Sequence, residues 1–103
     1  MTTTKPAFQA FALGAIVSTP GVLEAVSHPR ILECLSRHAR GDWGQVCKDD
    51  AAENNLATRE GFRVLSAYAI DPAKPCAGFG ENCVWVITEA DRSVTTLLLP
   101  SEY

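Results

Sequence analysis

Apolar and polar positions alternate with period two toward the end of the chain and follow a longer period before it. Residues 84–88 and 94–99 are dense in β-branched and apolar side chains, and the polar break Glu89-Ala90-Asp91-Arg92-Ser93 separates them. Such side chains are stiff at χ1 and suit a pleated surface, so the pattern predicts two strands and a turn. Residues 62–70 predict another strand, with Phe62, Val64, Ser66, Tyr68 and Ile70 on one face and Arg63, Leu65, Ala67 and Ala69 on the other. Both faces are partly apolar, which suits a central position. Residues 71–82 hold two prolines and two glycines and predict a long loop.

Upstream, residues 8–17 alternate as a first strand, with Phe11, Leu13, Ala15 and Val17 on one face. Ser18-Thr19-Pro20-Gly21 is a helix-start signal, because Thr19 can accept an orphan N–H and Pro20 has none to lose. Residues 22–27 then predict a short helix that His28-Pro29 ends. In residues 30–39, Ile31, Cys34, Leu35, His38 and Ala39 form a buried helical stripe that Gly41 terminates. A third helix is expected to start at Asp50, or at Asp49, and to end at Gly61. Its apolar face of Ala52, Leu56 and Ala57 is thin. Residues 1–6 are polar and expected to fray. The order β-α-α-α-β-β-β predicts one α+β domain over residues 1–103, an antiparallel meander sheet with helices packed on one face. Where the first strand joins is open.

Composition narrows the function classes. At 103 residues there is room for one core, and 47% apolar with 20% charged residues is an ordinary globular balance. A net charge of −3 without a Lys/Arg cluster disfavours nucleic acid as a partner. No apolar run is long enough to span a bilayer, and residues 7–17 read as part of the fold rather than a signal peptide, so a cytoplasmic location and no membrane partner are expected. The four cysteines, Cys34, Cys47, Cys76 and Cys83, form no C-x-x-C pair, so free thiols are expected. Cys76 and Cys83 bracket the loop closely enough to bridge if oxidised. No P-loop, dinucleotide fingerprint or nucleophile motif is present, and no cofactor is expected.

Three stretches could carry chemistry. In residues 37–44, His38 and Asp42 could form an acid–base pair beside Trp43 as a stacking wall. The same residues also read structurally, with His38 at a helix C-terminus, Asp42 in a local turn or arginine pair, and Trp43 over the core edge. Cys34 and His38, at i and i+4 on one helix face, are candidate metal ligands with Cys47 as a third. Residues 88–93 gather Glu89, Asp91 and Arg92 at a turn, which suits a polar ligand or a solvated hairpin. Trp43, Trp85, Asp91 and Arg92 are the binding candidates; His38, Asp42 and Glu89 are the catalytic ones. Trp43, Asp42 and Arg63 are expected to form a structural cluster in which Arg63 reaches back to the loop carboxylate.

Several strings together resemble a known group. These are Arg37-His38, Gly41-Asp42-Trp43-Gly44, Asn54-Asn55, Gly61, Arg63, Leu65-Ser66-Ala67-Tyr68, the run from Trp85 to Ser93, Thr95-Thr96 and Leu99-Pro100-Ser101-Glu102-Tyr103. They resemble a family of small uncharacterised bacterial proteins of plasmids, prophages and integrated mobile elements, some labelled plasmid-related protein or type I restriction endonuclease subunit M. The second label does not suit a chain of this length without a methylase motif. Relatives in that group have a shorter hairpin where this chain has residues 71–82. The resemblance implies a non-enzymatic interaction protein that binds and modulates a host or element-encoded macromolecule, including a defence component. The alternative is a small hydrolase or nuclease using His38, Asp42 and a carboxylate from Asp49, Asp50 or Glu89.

Overall fold

A computed structural model describes residues 8–103 of the chain. Its elements are β1 (Ala15–Ser18), α1 (Pro20–Ala25), α2 (His28–Ala39), α3 (Lys48–Glu60), β2 (Val64–Ala69), β3 (Cys83–Thr88), β4 (Val94–Leu98) and a closing 3-10 turn, Pro100–Glu102. The domain is α+β, with three helices and a four-stranded sheet ordered β1-β4-β3-β2. β2, β3 and β4 are antiparallel neighbours, but β1 runs parallel to β4. The expectation of an antiparallel meander sheet is therefore corrected to a mixed sheet. The reason is the connection. A helical crossover returns the chain to the end where it began, so β1 and β2 point the same way, and β4 lies two reversals from β2.

The first strand is shorter than its alternation suggested, because residues 8–14 form no strand. Phe8 and Phe11 instead turn their rings against Trp43, with centroids 6.0 and 6.3 Å away. Gly14 (φ +67°) makes this detour feasible, since a Cβ there would run into the carbonyls of Arg92 and Ser93. The expected fraying of residues 1–6 lies outside the described residues.

Helix boundaries follow their caps. Thr19 Oγ1 accepts the Val22 N–H at 3.3 Å and opens α1. Ser27 Oγ accepts the Arg30 N–H at 3.3 Å, so His28 and Pro29 begin α2 rather than end α1. α3 starts after Cys47, earlier than the two aspartates, which fall in its first turn, where the helix dipole favours carboxylates. Gly61 ends it in the left-handed conformation, φ 81°. The buried residues of α3 are Asn54, Ala57 and Thr58, whereas Ala52 and Leu56 are exposed, which reverses much of the expected face.

Val22 and Val26 of the α1 segment and Ile31, Cys34 and Leu35 of α2 pack against Tyr68, Val84, Val86 and Leu97. Trp43, Ala57 and Val64 make a second cluster with Phe8 and Phe11. Strand alternation sends Leu65, Ala67, Trp85 and Ile87 to the opposite face.

The β2 edge of the sheet is closed. The Asn54 side-chain amide donates to the Leu65 carbonyl at 2.7 Å and accepts the Leu65 N–H at 3.2 Å. The Ala67 N–H donates to the Trp43 carbonyl at 3.2 Å, and the Gln45 N–H donates to the Ala67 carbonyl at 2.7 Å. Arg30 donates to the Ala69 carbonyl through Nε and Nη2, at 3.0 and 2.7 Å. Gly44 (φ +71°) permits the approach, since a Cβ there would strike the Ala67 carbonyl. A buried amide in the middle of α3 thus acts as one more rung of the ladder.

Candidate functional site

The His38 imidazole is fully buried on the inner face of α2. Nδ1 lies 2.5 Å from Ser66 Oγ and Nε2 lies 2.8 Å from Thr88 Oγ1. Thr88 Oγ1 is 2.7 Å from Thr95 Oγ1, and Thr95 donates to the Leu13 carbonyl at 2.7 Å. Direction follows from that last bond. A carbonyl only accepts, so the Thr95 hydrogen is spent on Leu13, and Thr88 must donate to Thr95. Thr88 then accepts from Nε2–H, and Ser66 donates to Nδ1. The ring is held as the neutral Nε2–H tautomer with both nitrogens occupied. Burial, and secondarily the Arg92 charge, push its pKa from 6.5 down to about 4. Phe11 and Trp43 close over it edge-on, with centroids at 5.5 and 5.8 Å.

Asp42 turns the other way. Its carboxylate accepts from Arg37 Nε at 2.8 Å and Nη2 at 3.2 Å, and from the Gly44 N–H at 3.3 Å. The Arg37 hydrogen bond holds the Asp42 carboxyl below its usual range against the opposing effect of burial. Tyr68 OH donates to the Asp42 carbonyl at 2.7 Å, and the Arg37 guanidinium lies 4.8 Å over the Tyr68 ring. The expected Asp42–Arg63 pair is thus replaced by Asp42–Arg37, one turn beyond the same helix. Arg63 goes instead to Tyr103, donating to its hydroxyl at 2.7 Å. Trp43 is buried, and its Nε1–H donates to Asn55 Oδ1 at 2.9 Å.

The turn after β3 is organised by Arg92, a non-glycine residue at φ 61°. Its guanidinium donates to the carbonyls of Phe62 (2.7 Å), Ala57 (3.0 Å) and Glu89 (3.2 Å). Arg92 therefore ties the hairpin to the C-terminus of α3, where the dipole favours a cation. Asp91 is exposed and accepts the Ser93 N–H at 3.0 Å. Glu89 holds the turn through its backbone N–H, which donates to Val94 at 3.0 Å. Among the described residues its carboxylate bonds to neither His38 nor Asp42.

The thiols do not converge with His38. Cys34 is buried and Cys47 exposed, and no group of three metal-ligating side chains occurs among the described residues. Burial first, and then contact with the Cys76 thiol, push Cys83 up to about 12. Surface hollows lie elsewhere. One of about 630 Å³ is lined by Arg30, Glu33, Ile70 and Asp71, another of about 510 Å³ by Gly80, Glu81, Leu99 and Pro100. The acid–base candidates line neither.

On the sheet face away from α1 and α2, Trp85 is half-buried and its ring meets Tyr103 edge-on at 5.6 Å. Arg63 lies 5.7 Å over the Tyr103 ring, and Trp85 Nε1–H donates to the Gly78 carbonyl at 2.9 Å. Next in sequence to these groups, Phe62 and Phe79 are exposed. Trp85 is one of the binding candidates named from the sequence. Its contact with Tyr103, and that of Tyr103 with Arg63, were not legible there, because nothing in a local window brings the chain end across the sheet.

No helix among the described residues is long and apolar enough to cross a membrane. Comparison with family models, with curated proteins and with solved structures finds no match to this chain.

Proposed function

We propose that the chain is a small interaction protein that binds a macromolecular partner through the Trp85–Tyr103–Arg63 face and carries out no chemistry of its own. The observation that supports this reading is the composition of that face. An exposed tyrosine that touches both a half-buried tryptophan and an arginine gathers the residue types that dominate binding energy at protein interfaces. The acid–base candidates, in contrast, are spent internally. A general base needs an open nitrogen or oxygen within reach of substrate, and both His38 nitrogens are bonded to buried hydroxyls. The resemblance to mobile-element proteins supports a cytoplasmic protein partner of host or element origin, a class that includes defence components.

Affinity capture from a bacterial host lysate, read by mass spectrometry, tests this. Wild type is expected to enrich a defined protein, and Tyr103→Ala with Arg63→Ala to lose it at least about tenfold while the melting temperature holds. Equal capture by wild type and the folded double variant would remove this face from consideration.

A further inference from the structure

The two edges of the sheet are built oppositely. The outward groups of Leu65 and Ala67 and the Ala69 carbonyl on β2 are taken by Asn54, the 43–45 loop and Arg30. β1 has no such cover among the described residues. Ala15 and Thr19 donate inward to the Ser93 and Leu97 carbonyls, each at 3.0 Å. Alternation along the ladder then turns the N–H and C=O of Ile16 and Ser18 outward. Ile16 is 50% exposed and Val17 46%. An edge of exposed β-branched residues is a site for another strand, and residues 15–18 carry no charge, proline or bulge to discourage one.

We propose that β1 pairs with β1 of a second copy of this chain, antiparallel, across a two-fold axis beside Val17. The outward groups match such an axis. Ile16 exchanges two bonds with the partner's Ser18, and Ser18 exchanges two with the partner's Ile16. Val17 then faces its own symmetry mate as a close, non-hydrogen-bonded pair of β-branched side chains. The result is one continuous sheet running from β2 of one copy to β2 of the other, with both outer edges closed.

Charge and length favour a second copy over a foreign strand. A two-fold contact sets a patch against itself, so any charge in it meets its like. The chain has no charged residue between Lys5 and Glu24, so β1 itself brings none to the axis, although the chain is −3 overall. The Glu102 carboxylate lies past Ser18, on Thr19 Oγ1 and the Gly21 N–H. A charged foreign strand would find no charged side chain on β1 itself to pair with. The edge is also bounded. Gly14, at φ 67°, precedes it, and Pro20, which has no N–H, begins α1 after it. A longer foreign strand would overrun both ends, whereas β1 fits its own length. The contact is small, so the dimer is expected to be weak and concentration-dependent.

Sedimentation equilibrium from about 1 to about 500 μM, a range suited to a small interface, tests the proposal. The mass is expected to rise from 11.1 kDa toward twice that value. In hydrogen exchange, Ile16 and Ser18 amides should gain at least about tenfold protection with concentration, and the Leu65 amide should not change. Ile16→Pro removes an outward N–H without touching the β4 ladder, and Val17→Lys sets two ammonium groups together at the axis. Both are expected to stay monomeric with the wild-type circular dichroism spectrum; if Ile16→Pro misfolds, Val17→Lys carries the test alone. A mass of 11.1 kDa across the whole range, or a dimer that survives a folded Val17→Lys, overturns the proposal, whatever else binds the edge.

Discussion

Nε2 of His38 donates to Thr88 Oγ1 across 2.8 Å, joining α2 to the end of β3 inside a fully buried pocket. The hydroxyl beyond it, Thr95, continues the chain of bonds to Leu13, and Nδ1 meets Ser66 of β2, so one histidine couples a helix, three strands and the segment that enters β1. Among the described residues no buried side-chain nitrogen or oxygen lacks a partner. A polar network satisfied in this way specifies one packing and penalises its neighbours.

Stability should therefore depend on pH in a defined window. The unfolded imidazole takes a proton near 6.5 and the folded one only near about 4. The His38 contribution is whole above 6.5, is lost as pH falls through that interval, and changes no further below about 4. The total loss is roughly 3 kcal/mol. Urea denaturation at a series of pH values checks it, and His38→Gln should flatten the slope in that window while lowering stability throughout.

Arg92 is coupled to the same titration. Its charge helps keep His38 neutral, and its guanidinium fastens the hairpin to α3. Arg92→Met should shift the acid transition to higher pH and, by leaving carbonyls unpartnered, cost about 1–3 kcal/mol at neutral pH. An NMR titration of the His38 ring reads the first effect and denaturant unfolding the second.

Trp43 is 5% exposed and packed among Phe8, Phe11 and His38. Trp43→Ala should cost roughly 3–5 kcal/mol or unfold the domain. Trp43→Phe keeps most of the packing and loses the Asn55 bond, so about 1 kcal/mol is expected. Asp42→Asn weakens a partly exposed pair, and solvent screening limits its cost to about 1 kcal/mol or less. Thermal melts separate the three.

Asn54→Leu should cost about 2–3 kcal/mol, because the Leu65 N–H and carbonyl both lose their partner. The same change bares the β2 edge, so light scattering at raised concentration should show aggregation that the Val17→Lys substitution does not relieve.

Thiol reactivity should follow exposure. Cys47 is exposed and Cys76 half-exposed, whereas Cys34 and Cys83 are buried and the burial raises both of their pKa values. With a disulfide reagent at pH 8, Cys47 is expected to react first, and Cys34 and Cys83 to wait for unfolding. If diamide takes two hydrogens from Cys76 and Cys83, the closed loop should add roughly 2–3 kcal/mol on the chain-entropy estimate. Peptide mass mapping identifies the pair.

The sequence by itself determined the local elements whose causes are local. The α2 stripe, the Gly61 stop, the strand pair around residues 89–93 and the long loop at 71–82 follow from side-chain stiffness, helical period and turn residues within a few positions. Even the exchange of roles at His28-Pro29 was latent there, since Ser27 before His28-Pro29 is itself a helix-start signal. What only the tertiary structure decided are relations between distant residues. β1 shrinks to four residues because Phe8 and Phe11 gain more by covering Trp43 than by extending a strand. Its parallel pairing with β4 depends on the crossover of three helices, which no alternation pattern encodes. Asn54 reads as a poor helix residue until β2 arrives beside it with an N–H and a carbonyl to satisfy. Asp42 takes Arg37 rather than Arg63 because the chain turn at Gly41 folds it back onto its own helix, while Arg63 is drawn toward a chain end forty residues away. Burial, and the exact partner of each polar group, belong to the packed state; period and propensity end where the chain begins to touch itself.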